Sequence, residues 1–359
     1  MSLIFISSFL AGLRLASTSS MSSTSSSRII AVTRRLPSHV LSPLIDSGFR
    51  VITHDSDEPP SRSELLSLVS GASAIVCTLA DGVDATLLAA AGPSLRGVAT
   101  MSVGTSHIDS NACAAANVRV GFTPGVLTAA TADLTITLLL ATLRRVPEAL
   151  AAAKNGNWTS WKPYWLAGRD LSHSTVGIIG FGRIGEAVGR RLRGFDCSIL
   201  YNTRSNSRSA ESDAPLNAKW ATLNELLSNS DIVICLCPLT EETRGLIGAA
   251  QIALMKPIST LINVARGEII VQDALVAALQ TRPGLRAGLD VTTPEPLPLD
   301  HPLLHLNNSV IFPHIGSASL ACRDTMASLT IANAIGAANG TKMPEETTES
   351  ISRFKHLYN

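Results

Sequence analysis

Arg266, Glu295 and His314 each follow an apolar run: Thr260 to Ala265, Leu285 to Val291 and Val310 to Pro313. Runs of this length read as buried parallel strands, and in open parallel sheets ligands bind at the carboxyl ends of the strands. A guanidinium, a carboxylate and an imidazole at three such ends are therefore directed toward one cleft. There an Arg can fork onto a carboxylate or polarise a carbonyl. A His can give or take the proton that accompanies hydride transfer, while a Glu can hold the imidazole in one tautomer and favour its protonated form. Singly, Arg266 reads more readily as a strand cap, Glu295 as part of a rigid turn between Pro294 and Pro296, and His314 as a core imidazole. A nucleotide-binding unit upstream tips the reading toward a site.

That unit is VGIIGFGRIGEAVGRRLRGFDCSILYNTR, residues 176–204. An apolar strand, Val176 to Ile179, runs into the GxGxxG turn of Gly180, Gly182 and Gly185, which opens an amphipathic helix and then a second strand, Ser198 to Tyr201. Gly180 allows the tight turn, Gly182 lets a pyrophosphate approach the helix N-terminus, and Gly185 lets helix and strand pack closely. NAD-binding units usually carry an acid about 20 residues on, for the ribose 2′-hydroxyl. Here stand Asn202, Thr203, Arg204 and Ser205, with Arg208 beyond, so the expected cofactor is NADP(H), with NAD(H) as the alternative; solvated loop arginines are the bland reading.

Other elements must position these groups. Five apolar strands, at Ile29–Thr33, Arg50–His54, Ala74–Thr78, Gly97–Met101 and Arg119–Phe122, alternate with helical stretches such as Ser61–Val69 and Asp84–Ala91. A long helix is expected from about Val126 toward Ala153. Six strands follow, beginning near Val176, Ser198, Ile232, Thr260, Leu285 and Val310, and a last helix, about Ala318 to Asn339, returns to the first domain. The expected fold is α/β with two open parallel-sheet domains. A Rossmann dinucleotide-binding domain, residues 126–316, is inserted in a flavodoxin-like substrate domain split between residues 29–125 and 317–359.

With 359 residues, 45% hydrophobic and 16% charged, the chain can bury two cores. A net charge of +1 with no basic stripe argues against nucleic acid or a membrane surface as partner. Cys77, Cys113, Cys197, Cys235, Cys237 and Cys322 follow no disulfide framework. Cys235 and Cys237 alternate along the apolar DIVICLCP and read as core, so no metal site and a reducing compartment are expected. Residues 1–28 are rich in serine and lack acids; a mitochondrial leader, a signal peptide without a basic start, and a disordered extension with Met21 as alternative start all fit. The cytosol is the expected location, or the mitochondrion if that segment is a transit peptide.

The strings GFGRIG, NVARGEIIVQDAL, GLDVTTPEPLP and HPLLHLNNSVIFPHIGSA resemble the D-isomer-specific 2-hydroxyacid dehydrogenases. With TMSVGTSHID, VGFTPGVLTAATADLT and NGNWTSWKPYWLAG, the resemblance points to the glyoxylate and hydroxypyruvate reductases of animals. It spans about Ile29 to Pro344. It implies that Arg266 clamps the substrate, a short 2-oxo or 2-hydroxy acid, that His314 is the general acid in reduction and that Glu295 is its partner. It associates Asp290 with the nicotinamide carboxamide and Thr131 with the cofactor phosphates. The Val103–Gly104 backbone would receive the substrate carboxylate, with Leu79 lining the same pocket. Arg183, Ile184, Pro238 and Val264 complete the expected cofactor contacts.

Two features depart from the pattern: Asp133 shortens the usual acid after Thr131-Ala132, and the tail after Pro344 has no counterpart. Trp161, flanked by Trp158 and Trp165, reads by itself as packing. In the resembled reductases the matching tryptophan reaches the partner's active site, which implies an obligate homodimer. Two alternatives share the fold, a nucleotide-sensing transcriptional corepressor and a formate dehydrogenase. NGNWTSWKP and the absent acid after the glycines favour the reductase over the first. Glu295 with FPHIG, which lacks an amide beside the histidine, favours it over the second.

Overall fold

The computed structural model describes residues 28–206 and 213–354; Arg208 and residues 1–27 of the expected extension lie outside them. The chain folds around two open sheets with every strand pair parallel. The first contains β1 (Ile29–Val32), β2 (Arg50–Thr53), β3 (Ala72–Cys77), β4 (Gly97–Thr100) and β5 (Arg119–Gly121), in the order β2-β1-β3-β4-β5. Every residue of β3 and β4 is buried, as strands covered by helices on both faces must be. Local signals set the helix starts. Ser61 and Glu64 form a reciprocal capping box on Arg62–Leu68, and Asp84 caps Ala85–Ala91.

The second sheet holds seven strands where six are expected from sequence. These are β6 (Thr175–Ile179), β7 (Ser198–Asn202), β8 (Ala218–Trp220), β9 (Ile232–Cys235), β10 (Ser259–Asn263), β11 (Leu285–Leu289) and β12 (Ser309–Ile311), in the order β12-β11-β10-β9-β6-β7-β8. The unforeseen strand is β8, three residues reading Ala-Lys-Trp at the sheet edge. Its length is too short for a hydrophobic period, and its pairing with β7 alone defines it. The reversal of strand order beside β6 is the switch point at which doubly wound sheets hold dinucleotides.

The long helix expected over residues 126–153 is two helices, Thr128–Leu143 and Val146–Lys154, broken at Arg145, whose φ is 55°. Pro147 is the reason. Inside a continuous helix its ring would clash with the carbonyl of Leu143, whereas at the start of a new helix its missing N–H costs nothing. The Leu143 carbonyl instead accepts the N–H of Arg169 at 3.0 Å. The last long helix, Leu320–Asn339, is capped by Ser319 and packs on β3 and β4, so the chain does return to the first sheet.

The segment after Pro344, which the resemblance leaves without a role, closes the open edge at β5. Gly121 and Glu346 form an antiparallel bridge, and Arg119 holds Glu346 through Nη2–Oε2 and Nε–Oε1 contacts of 2.7 and 3.1 Å, both side chains buried. An unpaired strand edge is a template for aggregation, and here the chain covers its own. All six cysteines are free and buried. Among the described residues no helix is long and apolar enough to cross a membrane.

Candidate active site

A cleft of about 1270 Å³ separates the carboxyl ends of the two sheets. On the larger sheet's side, the turn after β6 shows a distinct reason for each glycine. Gly180 has φ +93°, and a Cβ there would meet the Cys237 backbone nitrogen at 2.4 Å. A Cβ on Gly185 would meet the Gly180 carbonyl at 2.5 Å, whereas one on Gly182 would have nothing within 4 Å. Gly182 caps the Arg183–Leu192 helix, so its exposed backbone and the unsatisfied N–H groups of the first turn fit a pyrophosphate.

His314 follows β12 and sits in the left-handed region at φ 53°, unusual for a residue with a Cβ. The Asp290 backbone carbonyl accepts its N–H at 2.9 Å, and the Asp290 carboxylate accepts the N–H groups of Ile315 and Gly316, both at 2.8 Å. Burial raises the Asp290 carboxyl above its ordinary range, against the pull of those donors. His314 Nδ1 lies 2.8 Å from Glu295 Oε2, and the residue lines the cleft. Glu295 Oε1 accepts the Thr292 N–H at 2.9 Å. Burial alone would raise the Glu295 carboxyl; the hydrogen bond and charge of His314, the Thr292 N–H and the Arg266 charge outweigh it and hold the group below its usual value.

Arg266 follows β10, and its guanidinium lies against the loop after β4: a Cβ on Gly104 would fall 2.2 Å from Nη2. Burial lowers its pKa from the ordinary value, opposed by Glu295 and Glu268, and a guanidinium so lowered stays charged. Among the described residues the N–H groups of Val103 and Gly104 have no protein acceptor. Two open N–H groups beside a buried guanidinium make a seat for a carboxylate.

Of the expected site residues, Leu79, Val103, Gly104, Thr131, Gly182, Arg183, Ile184, Gly185, Pro238, Val264, Arg266, Asp290, Glu295 and His314 all line this cleft. Gly180 is not among its lining residues. Asn202, Thr203, Arg204, Ser205 and Trp161 lie outside its lining. Asn202 Nδ2 is committed to the Ala221 carbonyl at 2.9 Å, and Thr203 Oγ1 to that of Ser205 at 2.9 Å, which leaves Arg204 exposed at the tip of the turn after β7. Trp161 is 82% exposed, near the exposed Trp158 and Tyr164. Asp133, the shortened acid, pairs with Arg191 at 2.6 Å on the surface.

Two features escaped the sequence reading. Arg34, in the lining of the cleft, forms a buried ion pair with Asp81 at 3.0 Å, and Asp81 also accepts from Thr33 and Thr78. His107, farther along the connection after β4 that holds Val103 and Gly104, has a buried Nδ1 with no partner among the described residues. Applying the strand-end argument to the smaller sheet would have found the first pair, since Thr33-Arg34 and Thr78 follow β1 and β3. Nothing local to His107 marks its burial. Among the described residues no cluster of three or more His, Cys, Asp and Glu could hold a metal ion.

A glycine turn at a helix N-terminus, across a switch point from a proton donor and a carboxylate seat, defines an oxidoreductase that works with a dinucleotide. The chain belongs to the D-isomer specific 2-hydroxyacid dehydrogenase family, whose NAD-binding domain matches residues 136–316. It is 45% identical over 318 residues to the glyoxylate reductase/hydroxypyruvate reductase of Homo sapiens, covering 88% of this chain and 97% of that one. A solved protein of Thermus thermophilus superposes with a TM-score of 0.83 at 40% identity, over 89% of this chain and 100% of that one. An NADPH-dependent glyoxylate/hydroxypyruvate reductase of Sinorhizobium meliloti, solved with NADP and malonate, superposes at 0.78 with 32% identity, over 91% and 98%.

Burial, reinforced by the Arg266 charge and opposed by Asp81, lowers His107 from the 6.5 of an ordinary imidazole to about 4. The folded protein therefore binds fewer protons here than the unfolded chain, so this stabilisation is complete above pH 6.5 and is lost as pH falls toward 4. Melting temperatures followed from neutral pH down through that window should fall more steeply for the wild type than for His107→Gln. Parallel curves would show that His107 is not the group being titrated.

Proposed function

We propose that this protein is a glyoxylate/hydroxypyruvate reductase, producing glycolate or D-glycerate, with NADPH as preferred donor. The observation that carries the reading is the meeting of Arg266 with the Val103–Gly104 loop beside the His314–Glu295 pair, which offers a short 2-oxo acid both a carboxylate seat and a proton donor. We divide the chain into a substrate domain of residues 29–125 plus 317–359 and a cofactor domain of residues 126–316, a division that the two sheets and their two connections support.

When bound, the reduced nicotinamide supplies the hydride that the carbonyl carbon receives. Arg266 holds the carboxylate and polarises the carbonyl. His314 gives the Nε2 proton to the carbonyl oxygen as it becomes a hydroxyl, while anionic Glu295 orients the ring through Nδ1. Thr131, Arg183, Ile184, Pro238, Val264 and Asp290 wall the dinucleotide's path from the glycine turn to this centre. Separate assays of NADPH and NADH oxidation with glyoxylate, hydroxypyruvate and pyruvate test the reading; turnover of pyruvate alone, or of none, overturns it. His314→Ala should lower kcat for hydroxypyruvate about 100-fold or more with dinucleotide affinity retained. Near-normal turnover would remove His314 from the mechanism.

Three observations support NADPH: the end of β7 lacks an acid, Arg204 is presented at the turn beyond it, and the Sinorhizobium meliloti relative is NADPH-dependent. Glu242 is held below its usual pKa by its hydrogen bond with Thr240 and, less strongly, by the charge of Arg204. Arg204 thus stands near the loop after Leu239, a residue of the cleft wall. A guanidinium–phosphate pair is worth about 1.5 to 3 kcal/mol, roughly 10- to 150-fold in affinity. Arg204→Ala should therefore weaken NADPH far more than NADH in parallel titrations; equal losses would leave Arg204 a solvated loop residue.

The working unit is a homodimer in which Trp161 reaches the partner's cleft. Its 82% exposure within one chain, together with Trp158 at 66% and Tyr164 at 88%, supports this reading, since isolated surfaces rarely cluster such aromatics. Trp161→Ala should relax discrimination against bulkier 2-oxo acids and raise KM for hydroxypyruvate. A fully active monomer in sedimentation at assay concentration would refute the arrangement.

A further inference from the structure

Behind the carboxylate seat runs a chain of hydrogen bonds whose direction can be read. Ser102 Oγ donates to the Gly104 carbonyl at 2.7 Å. A hydroxyl has one proton, so the 2.9 Å contact between Ser102 Oγ and Thr100 Oγ1 is donated by Thr100. With that proton used, the 3.0 Å contact between Thr100 Oγ1 and His107 Nε2 is donated by the ring. His107 is therefore the Nε2–H tautomer. Its Nδ1, buried and without a partner among the described residues, carries only a lone pair.

The chain ends where it matters. Gly104 is the residue against which the Arg266 guanidinium lies, and its carbonyl sets the plane of the following peptide. Thr100 and Ser102 are both buried, so water does not compete for these bonds. We propose that His107 is a positioning residue: as a neutral donor at the head of the chain His107–Thr100–Ser102–Gly104, it locks the substrate loop against Arg266. This rests on the reading of that loop as the carboxylate seat. The surroundings keep the ring neutral. Arg266 lies on one side, Asp81 is engaged by Arg34, Thr33 and Thr78, and the Cys77 thiol next to Thr100 is held protonated by burial. A proton on Nδ1 would be a buried donor without an acceptor, added beside a cation.

The test uses full-length enzyme with saturating dinucleotide, reading KM and kcat for glyoxylate and, by calorimetry, the affinity for oxalate as a non-reacting carboxylate. Ser102→Ala and His107→Phe should each raise KM and the oxalate Kd by about three- to tenfold, the worth of one hydrogen bond, with kcat changed less. His107→Gln, which keeps an amide donor, should recover most of the loss. The double variant His107→Phe/Ser102→Ala should be no worse than the poorer single one, because both cut one chain. Unchanged oxalate affinity in Ser102→Ala, additive losses in the double variant, or a Gln variant no better than Phe would each overturn the proposal. A wild type that binds oxalate but reduces no 2-oxo acid would sink the functional reading and leave the chain testable by oxalate. A wild type that does not bind oxalate overturns the seat and the chain together.

Discussion

The buried carboxylate of Asp290 is the constraint on which the site depends. By accepting the N–H groups of Ile315 and Gly316 while its backbone carbonyl accepts that of His314, it holds three successive residues in a conformation that a side chain at position 314 would not choose. A left-handed residue bearing a Cβ costs of order 1–3 kcal/mol and persists only where its surroundings over-determine it. Here they do, and the result is an imidazole whose Nδ1 meets Glu295. Asp290 and Glu295 both follow β11, and His314 follows β12, so the pairing of these two strands sets the distance across which His314 and Glu295 face each other.

The cleft is divided in a chemically sensible way. The larger sheet supplies the glycine turn, the Glu295–His314 pair and the Arg266 guanidinium. The smaller sheet contributes backbone, in the loop after β4, and a second buried cation, Arg34, neutralised by Asp81. The meeting of Arg266 with the Val103–Gly104 loop exists only when the two sheets stand face to face, whereas the His314–Glu295 pair is internal to one of them. Backbone N–H groups suit a carboxylate seat because their position is set by the fold, with little side-chain entropy to lose on binding.

Much of this was legible along the chain, and the exceptions have identifiable causes. The glycine turn and the strand ends before Arg266, Glu295 and His314 were readable because an apolar run, a tight turn and a helix start are local matters of torsion and period. The break after Leu143 is equally local, set by Pro147, although the apolar positions Leu134, Leu138, Leu139 and Leu143 run up to it without interruption. Strand β8 carries no period at all. The tail after Pro344 looked featureless because its contribution is a buried carboxylate, Glu346, whose partner Arg119 lies on the far edge of the first sheet.

The sequence by itself determined most of the elements, the glycine turn and the strand-end positions of Arg266, Glu295 and His314, since each follows from residues close together along the backbone. Only the tertiary structure decided that Glu295 reaches His314 at 2.8 Å, that Arg266 rests on Gly104, that Asp290 spends its carboxylate on the histidine loop, and that His107 donates into the chain behind it. Those facts depend on strand register and on the approach of two sheets. Residues far apart in the chain come within hydrogen-bond range only when the hydrophobic cores close, and no local pattern records which partner each will then find.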